Sequence, residues 1–591
     1  MVDLPQAASV AAVMRAHAHA APDRTALVFV DDVERADGST SWSYAQLDAQ
    51  ARRVGAWLGA RCPVGTRVLL LYPSGFDFTA AYLGCLYAGA VAVPAPLPGH
   101  YRHEQQRVNH IARNAAASVV LTDSANLADV EAWAGAERLG ARVVATGGDA
   151  LPVPGSWSPP PVGPEDLAML QYSSGTTGEP RGVMLSHGNL LHNADAQRRA
   201  FGLTRESRVG GWLPLYHDMG LLGQLLPALL IGATSVLMRP SAFLQRPHQW
   251  LQLIDRYDVH CSAAPNFAYE LCLAKVTDEQ LDGLDLSRWQ LAYNGSERVD
   301  IATLDAFTKR FAPAGLPDTA PCPCYGMAEA TVFVSCAARR RPVVTTVDAG
   351  HLGQRRFVTA RSGVDLVSVG SPLDCEIRIV EPVGGQEVAP GGVGEIWLRG
   401  PSLGRAYWNC APATEHAFGP DGFVRTGDLG ALHEGELYVL GRVEEELRLA
   451  EGRLYPQDVE RALRLSHPEL AQAGAVFTVP ADAFGAEDLV VVHEVQGRPA
   501  EADLRRLAER MRRTVAGAFG VTAGAVCLLR RGGVRRTTSG KIRRVAMRRL
   551  FLEGELAVLY EDRGPSMAPV LCLPEQDQEQ LGQERGCRTA A

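Results

Sequence analysis

The chain has 591 residues, several times a typical domain of about 100–200, so at least two domains are expected. Its 46% apolar, 21% charged and 7% aromatic content excludes a disordered, collagenous or coiled-coil protein. A balance of 58 Lys+Arg against 66 Asp+Glu, net −8, argues against a globally basic nucleic-acid binder and leaves room only for a local basic patch.

Met1–Pro22 is Ala-rich but has no basic start followed by an unbroken apolar core, so no signal peptide is expected. From Thr40 to about Leu440, short apolar runs alternate with helix-length amphipathic segments. Arg67–Tyr72, Ala90–Pro94 and Ser118–Thr122 read as strands, with Phe76–Ala88 and Gln105–Ala115 as the helices between them. This rhythm predicts α/β units with largely parallel sheets. Thr79–Leu97 is weakly charged, but Gly84, Gly89, Pro94 and Pro96 make it a buried helix running into a strand rather than a membrane span. The expected location is the cytoplasm.

Gly394–Arg399 and Glu436–Leu440 read as more exposed strands. After Gly441 the pattern becomes that of a compact α+β unit. Pro456–Leu465 is a helix opening on Pro, and Gly474–Val479, Asp488–Val495 and Ala525–Leu529 are strands. Between the last two, Ala502–Phe519 sets Leu504, Leu507, Met511 and Val515 on one helical face. The domains expected are 1–441, 442–563 and a disordered tail over 564–591, rich in Glu, Gln and Pro. The twelve cysteines form no CxxC pair and fit reduced thiols; Cys322 and Cys324, in Pro-Cys-Pro-Cys, read as ordinary buried thiols.

The chemistry concentrates in a few places. Tyr172-Ser173-Ser174-Gly175-Thr176-Thr177-Gly178-Glu179-Pro180-Arg181-Gly182 puts hydroxyls and glycines in a short loop after the apolar run Leu167–Leu170. Such a loop can wrap oxyanions with N–H and O–H donors, and it can equally be a surface turn. It is not a Walker A loop, because no Gly-Lys-Ser/Thr follows. Glu329, in Tyr325-Gly326-Met327-Ala328-Glu329, suits a phosphate-bridging Mg²⁺ or a helix-capping acid. Tyr325 can stack on a base or fill a core. Asp428, in Arg425-Thr426-Gly427-Asp428, can accept two ribose hydroxyls or form an Asx-turn, and Arg442, after a strand, could support the same sugar.

Taken together and in order, SSGTTGEPRG, YGMAE, RTGD and SGK resemble the adenylate-forming superfamily of acyl-CoA synthetases, luciferases and peptide-synthetase adenylation domains, over about residues 40–560. Gly84–Pro98, Gly211–Gly220, Ala264–Glu270 and Asn294–Val299 are similar to the fatty acyl-AMP ligases within it. Phe333–Pro372 matches the place where those ligases carry an insertion, about 337–369 here. The resemblance implies a large N-terminal domain of packed α/β sheets plus a β-barrel, and a small mobile α+β C-terminal domain. It implies fatty acid and ATP as substrates, Mg²⁺ as cofactor and a holo acyl-carrier protein as acceptor, with an acyl-CoA synthetase or a low-turnover adenylate binder as alternatives. No nucleic-acid partner is expected.

By the same resemblance, Ser173, Thr176, Thr177 and Gly178 would cradle the phosphates, and Glu329 with Thr177 would hold Mg²⁺. Gly295, Ser296, Glu297, Tyr325, Gly326 and Met327 would frame the adenine, and Asp428 with Arg442 the ribose. His217 would sit near the substrate carboxylate, where a metal reading of His217-Asp218 lacks a third ligand. Trp212, Met219 and Phe267 are candidates for the acyl pocket or for plain core. Lys541, in Thr-Thr-Ser-Gly-Lys-Ile, stands where the superfamily carries its catalytic lysine, and only three of the 58 cations here are lysine. Three departures stand out: Arg181 in place of a lysine in the phosphate loop, Glu444-Glu445 at the hinge where lysine then aspartate is usual, and the polar stretch Leu447–Gly452. Arg530–Leu552 carries Lys541 and eight arginines with no acid. It reads as a solvated basic face, part of which could meet an acidic carrier protein.

Overall fold

The computed structural model describes residues 2–99, 102–147, 151, 155, 157–173, 179–419, 421–449, 452–480, 487–537 and 540–564. They divide into two compact units. The first runs to Ala349 and resumes from Arg356 to Leu440; the second comprises Gly350–Arg355 and the chain from Gly441 onward.

Among the described residues the first unit has three large sheets and a two-stranded one, Val344–Val347 with Val364–Val367. One has six strands in the order Arg142–Ala145, Val119–Thr122, Arg67–Leu71, Val91–Ala95, Leu167–Tyr172 and Gly182–Ser186, parallel except for the last. Both faces are covered, which is why its strands read as continuous apolar runs. Along Val68-Leu69-Leu70-Leu71, alternate side chains enter two different cores, Val68 and Leu70 one, Leu69 and Leu71 the other. On one face, helix Tyr44–Gly59, opened by a Ser43–Gln46 capping box, crosses helix Phe76–Tyr87. Gly84 permits that crossing, because a Cβ there would lie 2.5 Å from Val54 Cβ. Overpacking of this kind costs about 1–3 kcal/mol.

The second sheet has nine strands. Its parallel centre runs Pro321–Tyr325, Leu291–Asn294, Cys261–Ala264, Arg208–Gly211, Thr234–Met238 and Thr25–Val30. Ser335–Cys336 and Ser371–Pro372 close one edge, and Ser39–Ser43 the other. The third is antiparallel: Glu376–Val380, Gly394–Arg399, Val424–His433 and Glu436–Arg442. Gly394–Arg399 and Glu436–Leu440, expected to be exposed, are mostly buried. Ile396, Leu398 and Leu437 share a core with Tyr325, Val334 and Ile379. The polar residues alternating with them suggested solvent. One of them is instead held inside: Glu395 is buried and accepts from Gly427 N at 2.9 Å.

In the second unit, a four-stranded sheet (Leu470–Pro480, Glu487–Val495, Ala523–Leu529, Val558–Arg563) carries helices on both faces. Pro456–Ser466 and Glu501–Phe519 bury Val459, Leu463, Leu507 and Met511 against one, and Arg544–Leu552 buries Met547 and Phe551 against the other. Two buried ion-pair groups lie at its chain entry. Glu446 is met by Arg355 at 2.8 Å, with Arg448 and Arg453 at 3.4 and 3.5 Å. Arg544 forks onto Glu460 (2.8 and 2.7 Å) and reaches Glu445 at 3.0 Å. Glu445, one of the two acids at the expected hinge, therefore has an internal cation, and Arg544 is not part of a solvated basic face. Among the described residues no helix is long and apolar enough to cross a membrane.

Candidate active site

Several candidate residues gather at the carboxyl ends of the parallel strands of the nine-stranded sheet, the customary place for ligands in open α/β sheets. Strand Leu291–Asn294 leads into Gly295, Ser296 and Glu297; strand Pro321–Tyr325 leads into Gly326, Met327 and the short turn holding Glu329. Asn294 and Asn266 tie the neighbouring strand ends together. Asn294 Nδ2 donates to Asn266 Oδ1 at 3.0 Å, and the same oxygen accepts from Asp300 N.

Tyr325 projects its phenol to Asp428, donating to Oδ2 at 2.7 Å. Asp428 sits on strand Val424–His433 just after Gly427, whose φ of +69° is open to glycine without strain. Gly326 is dictated by a close approach, since a Cβ there would fall 1.6 Å from Val332 O. The backbone bends sharply after Glu329. Thr331 has φ +64° and ψ −66°, and Val332 N donates to Ala330 O at 2.7 Å. That is a γ-turn of the rarer, strained hand, on a β-branched residue. The Thr331 hydroxyl, donating to Ser402 O at 2.7 Å, helps to hold it.

Glu329 is buried and its Oε1 accepts from the Tyr407 phenol at 2.5 Å. Burial, with the Glu329 charge beside it, pushes the Tyr407 hydroxyl far up, so it acts as a proton donor. Arg181 lies over the Tyr407 ring at 5.5 Å, and Arg181 N donates to Ser173 Oγ at 3.1 Å. Ser173, Arg181, Tyr407 and Glu329 thus form one chain of contacts. Thr176, Thr177 and Gly178 lie outside the described residues. Sequence reasoning missed Tyr407. Its only signal is the aromatic pair Tyr407-Trp408 in a stretch of otherwise polar, irregular chain.

The proposed acyl residues adjoin the nucleotide candidates. Ser296 Oγ donates to Met219 Sδ at 3.3 Å, and Phe267 N donates to Glu297 Oε1 at 2.9 Å. Trp212 stacks on Phe243, with ring centroids 4.0 Å apart, and meets Phe267 and Trp250 edge-on. His217 caps the short turn Asp218–Gly220, its Nδ1 2.6 Å from Asp218 Oδ1. A π-helical turn, Leu221–Leu225, follows directly, and its Gly223 carbonyl accepts from the Tyr293 hydroxyl at 2.6 Å. Such turns recur where function outweighs regular packing.

Arg442 and Lys541 belong to the second unit. Arg442 ends strand Glu436–Arg442. Lys541 closes a tight loop in which its N–H donates to Thr537 Oγ1 and its carbonyl accepts from Thr537 N, with Gly540 at φ +87° making the turn. An Arg536–Ile542 bridge clamps the loop base.

Residues 14–408 match the model of the AMP-binding enzyme family. The chain is 37% identical to the medium-chain-fatty-acid–[acyl-carrier-protein] ligase JamA of Moorena producens, over 93% of this chain and 96% of that protein. It is 34% identical to the long-chain-fatty-acid–AMP ligase FadD23 of Mycobacterium tuberculosis, over 93% and 98%. A crystal structure of a fatty acid AMP ligase from Legionella pneumophila superposes with a TM-score of 0.72 at 31% identity, covering 97% of this chain and all of that one. With the motif-bearing strand ends described above, these likenesses place the chain in the AMP-binding, adenylate-forming enzyme family, on its fatty acyl-AMP ligase branch.

Proposed function

We propose that the enzyme activates a fatty acid with ATP to an acyl-adenylate, releasing pyrophosphate, and passes the acyl group to the phosphopantetheine thiol of a holo acyl-carrier protein. The setting is cytoplasmic lipid, polyketide or lipopeptide assembly. The observation that carries this reading is the Tyr325–Asp428 pair, its tyrosine on the strand next to the one leading into Gly295, Ser296 and Glu297, with Ser296 bonded to Met219 and Glu297 to Phe267, whose ring meets Trp212 edge-on. A polar edge of nucleotide character thus abuts an apolar one. The names of the relatives, a fatty-acid–carrier-protein ligase and a fatty-acid–AMP ligase, support the same substrates.

An ionised carboxylate offers about four lone-pair sites. The Tyr325 phenol donates to Asp428 Oδ2 and orients a carboxylate whose planar pair of oxygens suits the two ribose hydroxyls, with Arg442 as a further support. Gly295, Ser296, Glu297, Tyr325, Gly326 and Met327 frame the base. Ser173, Thr176, Thr177 and Gly178 bind the phosphates, and Arg181 adds a planar fork of donors where a lysine would offer a single point. Glu329 supplies one buried hard oxygen ligand, which suits Mg²⁺, an ion that takes one or two carboxylates and completes its shell with phosphates and water. Thr177 would help to hold the ion, which would supply neutralisation of phosphate charge.

The fatty carboxylate is already ionised at neutral pH, so no general base is needed. It attacks the α-phosphorus in line and pyrophosphate leaves. The obstacle is one anion approaching another, so catalysis is positioning plus placed positive charge. Lys541 provides that charge as a compact ammonium bridging the carboxylate and the α-phosphate. His217 lies at the carboxylate end of an acyl site walled by Trp212, Met219 and Phe267. A thiol then displaces AMP. The test is incubation with ATP, a panel of fatty acids, and either coenzyme A or a holo carrier protein. Acyl-AMP and acyl-carrier protein without acyl-CoA support the reading. Acyl-CoA as the main product, or pyrophosphate release indifferent to the acid, overturns it.

A further inference from the structure

Cys322 and Cys324 are not isolated thiols. They share one face of strand Pro321–Tyr325, two residues apart, with sulfurs 3.8 Å from each other. Cys336, on the antiparallel neighbour, is paired directly across from Cys324. The ladder bond from Ala337 N to Pro323 O, 2.9 Å, belongs to the adjacent residue pair, so Cys324 and Cys336 form the non-hydrogen-bonded kind of pair. Facing residues in such a pair have Cα atoms about 4.5 Å apart, inside the range a disulfide spans. Cys324 and Cys336 are partly exposed, whereas Cys322 is fully buried. Among the described residues no group of three His, Cys, Asp or Glu is arranged to hold a metal ion, so the cluster is not a thiolate metal site.

We propose that Cys324 and Cys336 are an oxidative modification site that a small peroxide closes into a cross-strand disulfide, weakening the use of ATP. The Cys336 sulfur attacks hydrogen peroxide to give a sulfenic acid and one water. Cys324 then attacks that sulfur, and the second oxygen leaves as water; two thiols are oxidised and one peroxide is reduced. The neighbouring Cys322 and Cys324 thiols hold Cys336 below the usual thiol range, while burial pushes Cys324 up. Cys336 is therefore the attacking thiolate and Cys324 the resolving thiol.

The consequence for ATP comes from position, and this half rests on the nucleotide assignment above. Cys324 packs against the candidate adenine frame: a Cβ on Gly295 would stand 3.2 Å from Cys324 O and 3.7 Å from Cys324 Cβ. The next residue is Tyr325, which orients Asp428. A bond that draws Cys324 toward Cys336 shifts both.

The test treats the full-length reduced protein with hydrogen peroxide and digests it after Glu. Cleavage at Glu329 separates Cys322 and Cys324 from Cys336, so the disulfide appears as two joined peptides. The joined product is expected in the wild type and in Cys322→Ser, and not in Cys324→Ser or Cys336→Ser. Each variant is checked for native tryptophan fluorescence, and Cys336→Ala replaces Cys336→Ser if that variant misfolds. The oxidised wild type should show a KM for ATP raised at least about threefold, reversed by dithiothreitol, with the KM for fatty acid within twofold. A cross-link lost in Cys322→Ser, or Cys336 oxidised only to sulfinic acid, overturns the pairing. A cross-link with unchanged KM for ATP overturns the functional half. Failure of the reduced enzyme to use ATP at all would instead sink the nucleotide assignment and leave the disulfide standing.

Discussion

Arg544→Met cuts the buried knot of the second unit and leaves Glu445 and Glu460 facing each other without their cation. All three side chains are about nine-tenths buried, and Arg544 donates three hydrogen bonds to the two carboxylates. Removing one partner of such a group costs about 3–5 kcal/mol, because the stranded charge stays desolvated. A domain of this size has about 5–15 kcal/mol in total, so the loss is a large share, and it corresponds to roughly 10–25 °C in its melting temperature. The chain supplies its own internal control. All nine tryptophans, from Trp42 to Trp408, precede Gly441, so intrinsic tryptophan fluorescence reports only the first unit. Arg544→Met should leave the fluorescence transition in place. It should lower the temperature at which amides of Leu470–Pro480 and Glu487–Val495 exchange with solvent. Arg544→Met combined with Glu445→Leu and Glu460→Gln should recover most of the loss, since neutralising the whole group removes the stranded charge. A shift of the tryptophan transition equal to that of the second unit, or no shift in either, would refute the reasoning.

Lys541→Ala should lower acyl-AMP formation at least about a hundredfold, the scale of one preorganised charge contact in a transition state. Lys541→Arg should also be badly impaired, and transfer from pre-made acyl-AMP to the carrier thiol much less so; equal loss in both half-reactions would indicate misfolding. Asp428→Ala should weaken ATP binding by about 1.5–3 kcal/mol, measured by titration calorimetry, and unchanged affinity would make Asp428 purely structural. Burial lowers the pKa of His493 to about 4, so it is neutral in the folded unit at pH 7. The unfolded chain binds that proton near pH 6.5, so stability is fully present above that value. It declines as pH falls toward 4, by on the order of 3 kcal/mol. His493→Leu should flatten this acid limb in hydrogen exchange of the second unit, and an unchanged slope would locate the acid sensitivity elsewhere.

Much of this was legible because the relevant signals are local. The helix Phe76–Tyr87, the strand Arg67–Leu71 and the second-unit helices announce themselves by periodicity, Pro and Gly, and tertiary packing agrees with them. The nucleotide candidates were legible as motifs because each is a short contiguous stretch. What depended on chain segments far apart was not. Nothing near Glu445 in sequence says that Arg544 will neutralise it. Nothing near Glu329 says that Tyr407 will donate to it, and the Cys324–Cys336 pairing needs the strand register. The exposed reading of Gly394–Arg399 failed for the same reason. Glu395 looked like a solvent-facing residue, but it accepts from a backbone N–H thirty-two residues away.

The order of strands in the nine-stranded sheet also governs how the chain must be made. Thr25–Val30 leaves the ribosome some two hundred residues before its parallel partner, Thr234–Met238, with Leu27 set against Ser235. At about 5–20 residues per second the early strand waits roughly 10–40 s for that partner. Until then its Ala-Leu-Val-Phe-Val run can pair only with Ser39–Ser43, leaving one edge open. Nascent chains arrested anywhere between residues 50 and 230 therefore carry an unpaired apolar strand edge. They are the species that chaperones must hold and that heterologous expression at high temperature will lose to aggregation.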